Sequence, residues 1–104
     1  MAQLIWTEPA LADLDAIADY IALDDEPAAR RLVARVFHHV EQLIDHPRSG
    51  SAPPELRPDK TYRQIVEPPC RVFYRTRGKK IYIVHVMRGE QILKKGKLKR
   101  KRSS

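Results

Sequence analysis

Two apolar stripes with helical spacing, separated by only a few residues, constrain the fold of this chain more than any other feature. Both recur at steps of three and four residues, which is the period of an amphipathic helix. They consist of Leu11, Leu14, Ile17, Ala18, Ile21 and Ala22, and then of Ala29, Leu32, Val33, Val36, Val40, Leu43 and Ile44. Thr7 is a favourable N-cap for the first helix, and Asp24-Asp25-Glu26-Pro27 separates it from the second. Because this break is so short, the sequence predicts an antiparallel helical hairpin.

Strand-like segments lie on both sides of the helical hairpin. A short one precedes it at residues 4–7, and three runs rich in Ile, Val, Tyr and Phe follow it at residues 61–67, 70–76 and 80–87. The connections between these three runs are two and three residues long, which suits hairpins. The sequence therefore predicts an α+β fold in which an N-terminal strand, the antiparallel helical hairpin and a three-stranded antiparallel meander complete a twisted sheet. The helices should cover one face of that sheet.

Strict alternation of side chains along the strands predicts what each face of the sheet carries. Arg71, Phe73 and Arg75 fall on one face, and pairing around Gly78 adds side chains of the last run to it. These additions are Tyr82, Val84, Val86 and Arg88. The opposite face receives Ile81, Ile83, His85 and Met87, which we assign to the helix-covered core. An apolar surface flanked by arginines is a candidate partner site, because exposed apolar patches usually mark interfaces.

The charges are segregated along the chain. Residues 1–45 contain nine acids and three bases, residues 46–93 contain ten bases and four acids, and residues 94–104 contain seven bases and no acid. The net charge of +7 therefore equals that of the last segment, and we predict one neutral domain at 1–93 followed by a basic tail at 94–104. The tail is suited to nucleic-acid phosphates or to an acidic partner. Its bases are Lys94, Lys95, Lys97, Lys99, Arg100, Lys101 and Arg102.

Several classes of protein are excluded by what the sequence lacks. Cys70 is the single cysteine, so an internal disulfide cannot form, and His38 and His39 are adjacent rather than spaced to chelate a metal. We therefore expect neither a metal nor a cofactor. No apolar run approaches about 18 residues and no secretory leader is visible, so we expect a cytoplasmic protein without a membrane partner.

The ordered set of these motifs resembles the RelE/ParE superfamily of bacterial toxin–antitoxin toxins, and the ParE branch more closely. The likeness runs from about residue 3 to residue 92. It is carried by Ile5-Trp6-Thr7, Ala10, Asp13-Leu14, Ile17, Tyr20-Ile21, Pro47, Gly50, Pro54-Glu55-Leu56, Tyr62-Arg63, Cys70-Arg71-Val72-Phe73-Tyr74-Arg75, Ile81-Tyr82-Ile83 and Val86-Met87-Arg88. The resemblance implies a cognate antitoxin whose C-terminal segment masks the toxin.

The resemblance implies two different targets. ParE-like members poison DNA gyrase on DNA, whereas RelE-like members cleave mRNA in the ribosomal A site. Fold alone does not choose between them. We favour gyrase inhibition with an acidic, amphipathic antitoxin segment on the sheet face and the helical hairpin. The predicted target or antitoxin surface comprises Arg63, Arg71, Phe73, Arg75, Tyr82, Val84 and Arg88.

The alternative is a ribosome-dependent mRNA endonuclease. Attack by a 2′-hydroxyl needs a proton acceptor, a proton donor and cations for the phosphorane. The RelE pattern supplies a tyrosine or histidine near the C-terminus, but no tyrosine follows Arg88 here. The candidate catalytic residues of this alternative are Arg71, Arg88, Glu55 and Glu90. A third alternative is a degenerate toxin that survives as a binding module.

Overall fold

Two helices pack on one face of an open, four-stranded mixed sheet in the computed structural model, which describes residues 2–89. The elements in chain order are β1 (Gln3–Trp6), α1 (Glu8–Ala22), α2 (Glu26–Glu41), β2 (Arg63–Glu67), β3 (Cys70–Arg77) and β4 (Lys80–Arg88), with 3₁₀ turns at Gln42–Ile44 and Pro54–Leu56. The sheet order is β1-β4-β3-β2, with β1 parallel to β4 and the other pairs antiparallel. The predicted α+β fold is therefore confirmed. Glu90 and the basic tail lie outside the described residues.

Both helices begin where the sequence predicts. The Thr7 side chain accepts a hydrogen bond from the Ala10 N–H at 3.4 Å, and Asp25 accepts one from the Ala28 N–H at 3.0 Å. The Thr7 hydroxyl also donates to the Ile83 carbonyl of β4 at 2.7 Å, so the start of α1 is fixed to the sheet. Within residues 2–89, no helix has the length and apolar character needed to cross a membrane.

The main core lies between the helices and the sheet. Its buried members are Ala10, Leu14, Leu32, Val36, Val40, Leu43, Ile65, Cys70, Val72, Tyr74, Ile81, Ile83 and Val86. Most of the helical members belong to the two predicted stripes. Trp6 of β1 packs on Phe37 of α2 with ring centroids 4.9 Å apart, which closes the core at the edge of the sheet. Burying each large aliphatic side chain contributes about 1.5–3 kcal/mol, so this layer holds the fold together.

An irregularity in β4 reverses the alternation of its side chains. Phe73 pairs with His85, but the next residue, Tyr74, pairs with Ile83, so Val84 is an extra residue on β4. Beyond this bulge, Val86 enters the helix-covered core, whereas Met87 lies in a second cluster on the other face. The predicted faces of residues 85–88 are therefore wrong, because strict alternation cannot anticipate an inserted residue.

The face of the sheet away from the helices is covered by a proline-rich loop, residues 45–62, which precedes β2 and contains Pro47, Pro53, Pro54 and Pro58. Leu56 and Tyr62 of this loop bury Phe73, Val84 and Met87 in the second cluster. Phe73 is 0% exposed and Val84 is 7% exposed. The predicted bare apolar surface is wrong, since the loop that lacks any sequence periodicity supplies its own apolar cover.

Tyr74 fastens the start of that loop to the sheet. Its buried hydroxyl donates to the Pro47 carbonyl at 2.9 Å and accepts from the Gly50 N–H at 2.9 Å. Arg63 donates to the Gly50 carbonyl at 2.8 Å. A Cβ atom at Gly50 would lie 2.6 Å from both the Gln64 carbonyl oxygen and the Tyr74 hydroxyl, so this close approach requires glycine. Burial raises the pKa of the Tyr74 hydroxyl above its ordinary value of 10.0.

We predict that Tyr74→Phe lowers the free energy of unfolding by about 1–3 kcal/mol, because it removes the partner of the buried Gly50 N–H and of the partly buried Pro47 carbonyl. Urea titration measures this loss. Tyr20→Phe is the matched control, since Tyr20 is 60% exposed, and it should change stability by less than about 0.5 kcal/mol.

The pH dependence of stability distinguishes the contribution of the Tyr74 hydroxyl from that of the packing of its ring. The unfolded chain ionises this tyrosine before the native protein does, so its contribution is complete below about pH 10 and is lost as the pH rises further. The wild type should therefore lose more stability than Tyr74→Phe above about pH 10. Equal losses in the two proteins would contradict this role of the buried hydroxyl.

Candidate functional site

Arg71, near the start of β3, makes the most extensive polar contacts on the loop-covered face. Its Nη1 and Nη2 atoms donate to the two carboxylate oxygens of Glu55 at 2.8 Å each. Its Nε and Nη2 atoms also donate to Oε1 of Gln64 at 3.0 Å and 2.7 Å. The guanidinium lies 4.9 Å from the centre of the Phe73 ring. With its side chain only 12% exposed, Arg71 is held in one position by a carboxylate, an amide and a ring.

Three separate elements position these partners. Glu55 lies on the 3₁₀ turn whose next residue, Leu56, is buried in the second cluster. Gln64 pairs with Phe73 across β2 and β3, which places it on the same face as Arg71. The structure thus brings together Arg71 and Glu55, two of the predicted catalytic candidates. Sequence reasoning missed Gln64, although pairing across the two-residue Pro68-Pro69 connection predicts its register.

Arg88 lies on the other face of the sheet from Arg71. It pairs with Cys70, which is buried in the main core, and its guanidinium lies 4.8 Å from the centre of the Tyr20 ring of α1. The Val84 bulge causes this reversal. The prediction that Arg71 and Arg88 share one face is therefore wrong, and the described residues do not bring the candidate endonuclease set together.

His85 and Asp13 form a second polar pair, between β4 and α1. Nδ1 of His85 lies 2.7 Å from Oδ2 of Asp13, and the same oxygen accepts a hydrogen bond from the Val86 N–H at 3.2 Å. Since β1 ends opposite Ile83, this carboxylate satisfies a backbone donor on the part of β4 that β1 does not reach. The His85 ring also stacks on Phe73 with centroids 5.8 Å apart. No sequence signal links Asp13 to His85, because 72 residues separate them.

The remaining predicted surface residues have different surroundings. Arg63 supports the loop at Gly50, and Phe73 and Val84 are buried. Arg75 and Tyr82 pair across β3 and β4 and are half-buried. Within residues 2–89, no group of three or more His, Cys, Asp or Glu side chains is placed to hold a metal ion.

An apolar groove runs between the two helices on their outer side. Its lining residues are Leu11, Ala12, Leu14, Asp15, Ala18, Val33 and Phe37. Leu11 is 41% exposed at this groove, which is high for a large apolar side chain. Of the exposed arginines of α2, Arg30 lies within one turn of Val33 and pairs with Glu26, whereas Arg35 lies on the opposite side of the helix and contacts Glu67 of β2. The helical hairpin therefore offers an apolar channel between α1 and α2.

Comparison with known proteins identifies relatives over most of the chain. The family described as "ParE toxin of type II toxin-antitoxin system, parDE" matches residues 4–93. The chain is 34% identical over 86 residues to "Toxin RelE2" of Caulobacter vibrioides, covering 83% of this chain and 93% of that protein. It is 49% identical over 45 residues to "Putative toxin Y4kP" of Sinorhizobium fredii, covering 43% of this chain and 47% of that protein.

A solved structure shares the architecture as well. A chain of the "Chromosomal ParDE TA system from P. aeruginosa" superimposes with a TM-score of 0.71 at 32% sequence identity. The match covers 86% of the present chain and 98% of the other. The helical hairpin and the sheet described above are thus found in a chain of that system.

The Arg71–Glu55 pair should contribute more to stability than an exposed pair of the same residue types. A double-mutant cycle of Arg71→Ala and Glu55→Ala is predicted to give a coupling energy of about 1–3 kcal/mol, because the contact is bidentate and mostly buried. The control is the pair Arg30 and Glu26 on α2, both of whose side chains are more than half exposed. Its coupling should be about 0.5 kcal/mol or less. Equal couplings in the two cycles would show that Arg71 is an ordinary surface arginine.

Proposed function

We propose that this chain, which belongs to the ParE toxin family of type II toxin–antitoxin systems, inhibits DNA gyrase and is silenced when its cognate antitoxin covers the helical hairpin. The observation that carries the proposal is the separation of Arg71 from Arg88 on opposite faces of the sheet. This separation favours a toxin that acts by binding over one that cleaves RNA.

The geometry around Arg71 supports a binding mode of action. Stabilising a phosphorane requires cations that point their donors toward the reacting phosphate. The donors of Arg71 point instead toward Glu55 and Gln64, so a phosphate would have to displace a bidentate carboxylate before it could be held. Arg88 lies on the far side of β3 and β4 and cannot assist at the same phosphate.

The groove between α1 and α2 fits the antitoxin segment. An amphipathic helix binds such a groove through apolar side chains spaced at i, i+3, i+4 and i+7. Leu11, Val33 and Phe37 supply the apolar contacts for such a segment. The loop-covered face of the sheet is less suited to this partner because its apolar side chains are already buried.

One contact favours the RelE-like alternative. Arg71 and Glu55, a cation and a carboxylate, meet in the structure although 16 residues separate them in sequence. A ribosome-dependent endonuclease could use such a pair, provided that the ribosome or the mRNA displaces their mutual contact. The resemblance to a protein named Toxin RelE2 agrees with either target.

A supercoiling assay tests the proposal. Purified protein added to purified gyrase, relaxed plasmid and ATP should block supercoiling and cause cleaved plasmid to accumulate. Prior addition of the cognate antitoxin should restore supercoiling, and Arg71→Ala should retain inhibition because Arg71 supports the fold and not the gyrase contact. Normal supercoiling at excess toxin, together with growth arrest on expression, would contradict gyrase as the target.

A further inference from the structure

We propose that the end of the β3–β4 hairpin, formed by Arg75, Arg77, Lys79 and Lys80 around Gly78, binds the phosphate backbone of duplex DNA. The inference rests on the proposed gyrase function for its biological setting, since gyrase works on duplex DNA. Its chemistry is independent of gyrase and can be measured without that enzyme. We call this segment, residues 75–80, the cationic tip.

The charge of the hairpin is of one sign. From residue 68 to residue 89 the chain contains six bases and no acid. Four of those bases belong to the cationic tip, where Arg77, Lys79 and Lys80 are exposed and Arg75 is half-buried. Each phosphate that such a side chain neutralises releases a condensed counterion, so clustered cations favour nucleic acid.

The acidic connection between the two helices lies far from the tip. The Thr7 hydroxyl at the start of α1 contacts Ile83 near the middle of β4, while Tyr20 near its end contacts Arg88 at the far end of the strand. The acidic connection Asp24-Asp25-Glu26 follows α1, at the end of the molecule opposite the tip. Lys80 and Arg88 are the two ends of a nine-residue strand, which spans about 25–30 Å. That distance exceeds two Debye lengths at physiological salt, about 8 Å each.

The turn of the tip is fixed in place and its outer side is open. β2 begins opposite Tyr74, so Arg75, Thr76 and Arg77 extend past β2, while β1 pairs with Lys80 to Ile83 along the other edge of β4. The Gln3 N–H donates to the Lys79 carbonyl at 2.7 Å and holds the turn in place. Gly78 has φ +60° and a Cβ there would meet nothing within 4 Å, so the turn is tight and its outer side is open.

A protein partner fits the tip less well than DNA does. Protein interfaces depend on a few large apolar or aromatic anchors in desolvated pockets. Residues 75–80 consist of four bases, one threonine and one glycine. The bases can bind phosphates, but the segment has no large apolar or aromatic side chain to anchor a protein partner.

The test compares two variants of the full chain that lose the same three charges. The tip variant is Arg77→Gln, Lys79→Gln and Lys80→Gln, and the control is Arg30→Gln, Arg31→Gln and Arg35→Gln on α2. Fluorescence anisotropy with a 20-bp duplex at several salt concentrations gives the slope of log K against log salt. The slope should become shallower by about two to three in the tip variant, at about 0.9 for each lost phosphate contact. The control should change it by less than about one, and because both variants keep residues 94–104, the tail cannot produce the difference.

A charge-preserving variant guards against misfolding. Arg77→Lys with Lys79→Arg and Lys80→Arg should keep the wild-type slope, and thermal melting should show all variants folded. Equal changes of the salt slope in the tip and control variants, or no duplex binding by the wild type, would overturn the proposal. If the tip variant lost more affinity for a single-stranded RNA of the same length than for the duplex, the proposal would also be overturned, and RNA would be the ligand. If the wild-type protein binds duplex DNA through the tip but leaves supercoiling by gyrase intact, the DNA-binding proposal is supported and gyrase is not the target.

Discussion

The extra residue at Val84 decides what the central strand presents to each side of the sheet. Before it, Ile81 and Ile83 face the helices, and after it Val86 resumes that role while Met87 joins the opposite cluster. A β-bulge of this kind re-aims every side chain that follows it. Because of this insertion, Val86 rather than Met87 joins the helix-covered core, and Met87 joins the smaller core beneath the loop.

Covering both faces of the sheet restricts where a partner can bind. The helices pack on one face, and Leu56 and Tyr62 cover Phe73, Val84 and Met87 on the other, so these buried side chains are not available to a partner. Arg71 illustrates the restriction, because its guanidinium is used to join β3 to the loop through Glu55. Arg88 is re-aimed toward Tyr20 by the bulge.

The sequence contains enough information for the helices, the strands and their pairing around the short turns. Local signals suffice there: the helical stripes, the Thr7 cap, Pro9 in the first turn and short connections between β-rich runs. The predicted site was less accurate because it depended on strict alternation past Val84. The cover over Phe73 could not be predicted, since Leu56 and Tyr62 lie in a loop without periodicity. The contact of Asp13 with His85 could not be predicted from a local pattern. These features arise from packing between distant segments, which no local pattern encodes.

The most direct test of a toxin that binds rather than cleaves is to map mRNA by primer extension on translating ribosomes exposed to the purified wild-type protein. A structural role for Arg71 and Glu55, with Arg88 on the opposite face, predicts no cleavage in the ribosomal A site at toxin concentrations that arrest gyrase. Cleavage in the A site that disappears in both Arg71→Ala and Glu55→Gln, while the two variants remain folded, would contradict it and make the Arg71–Glu55 pair the catalytic centre.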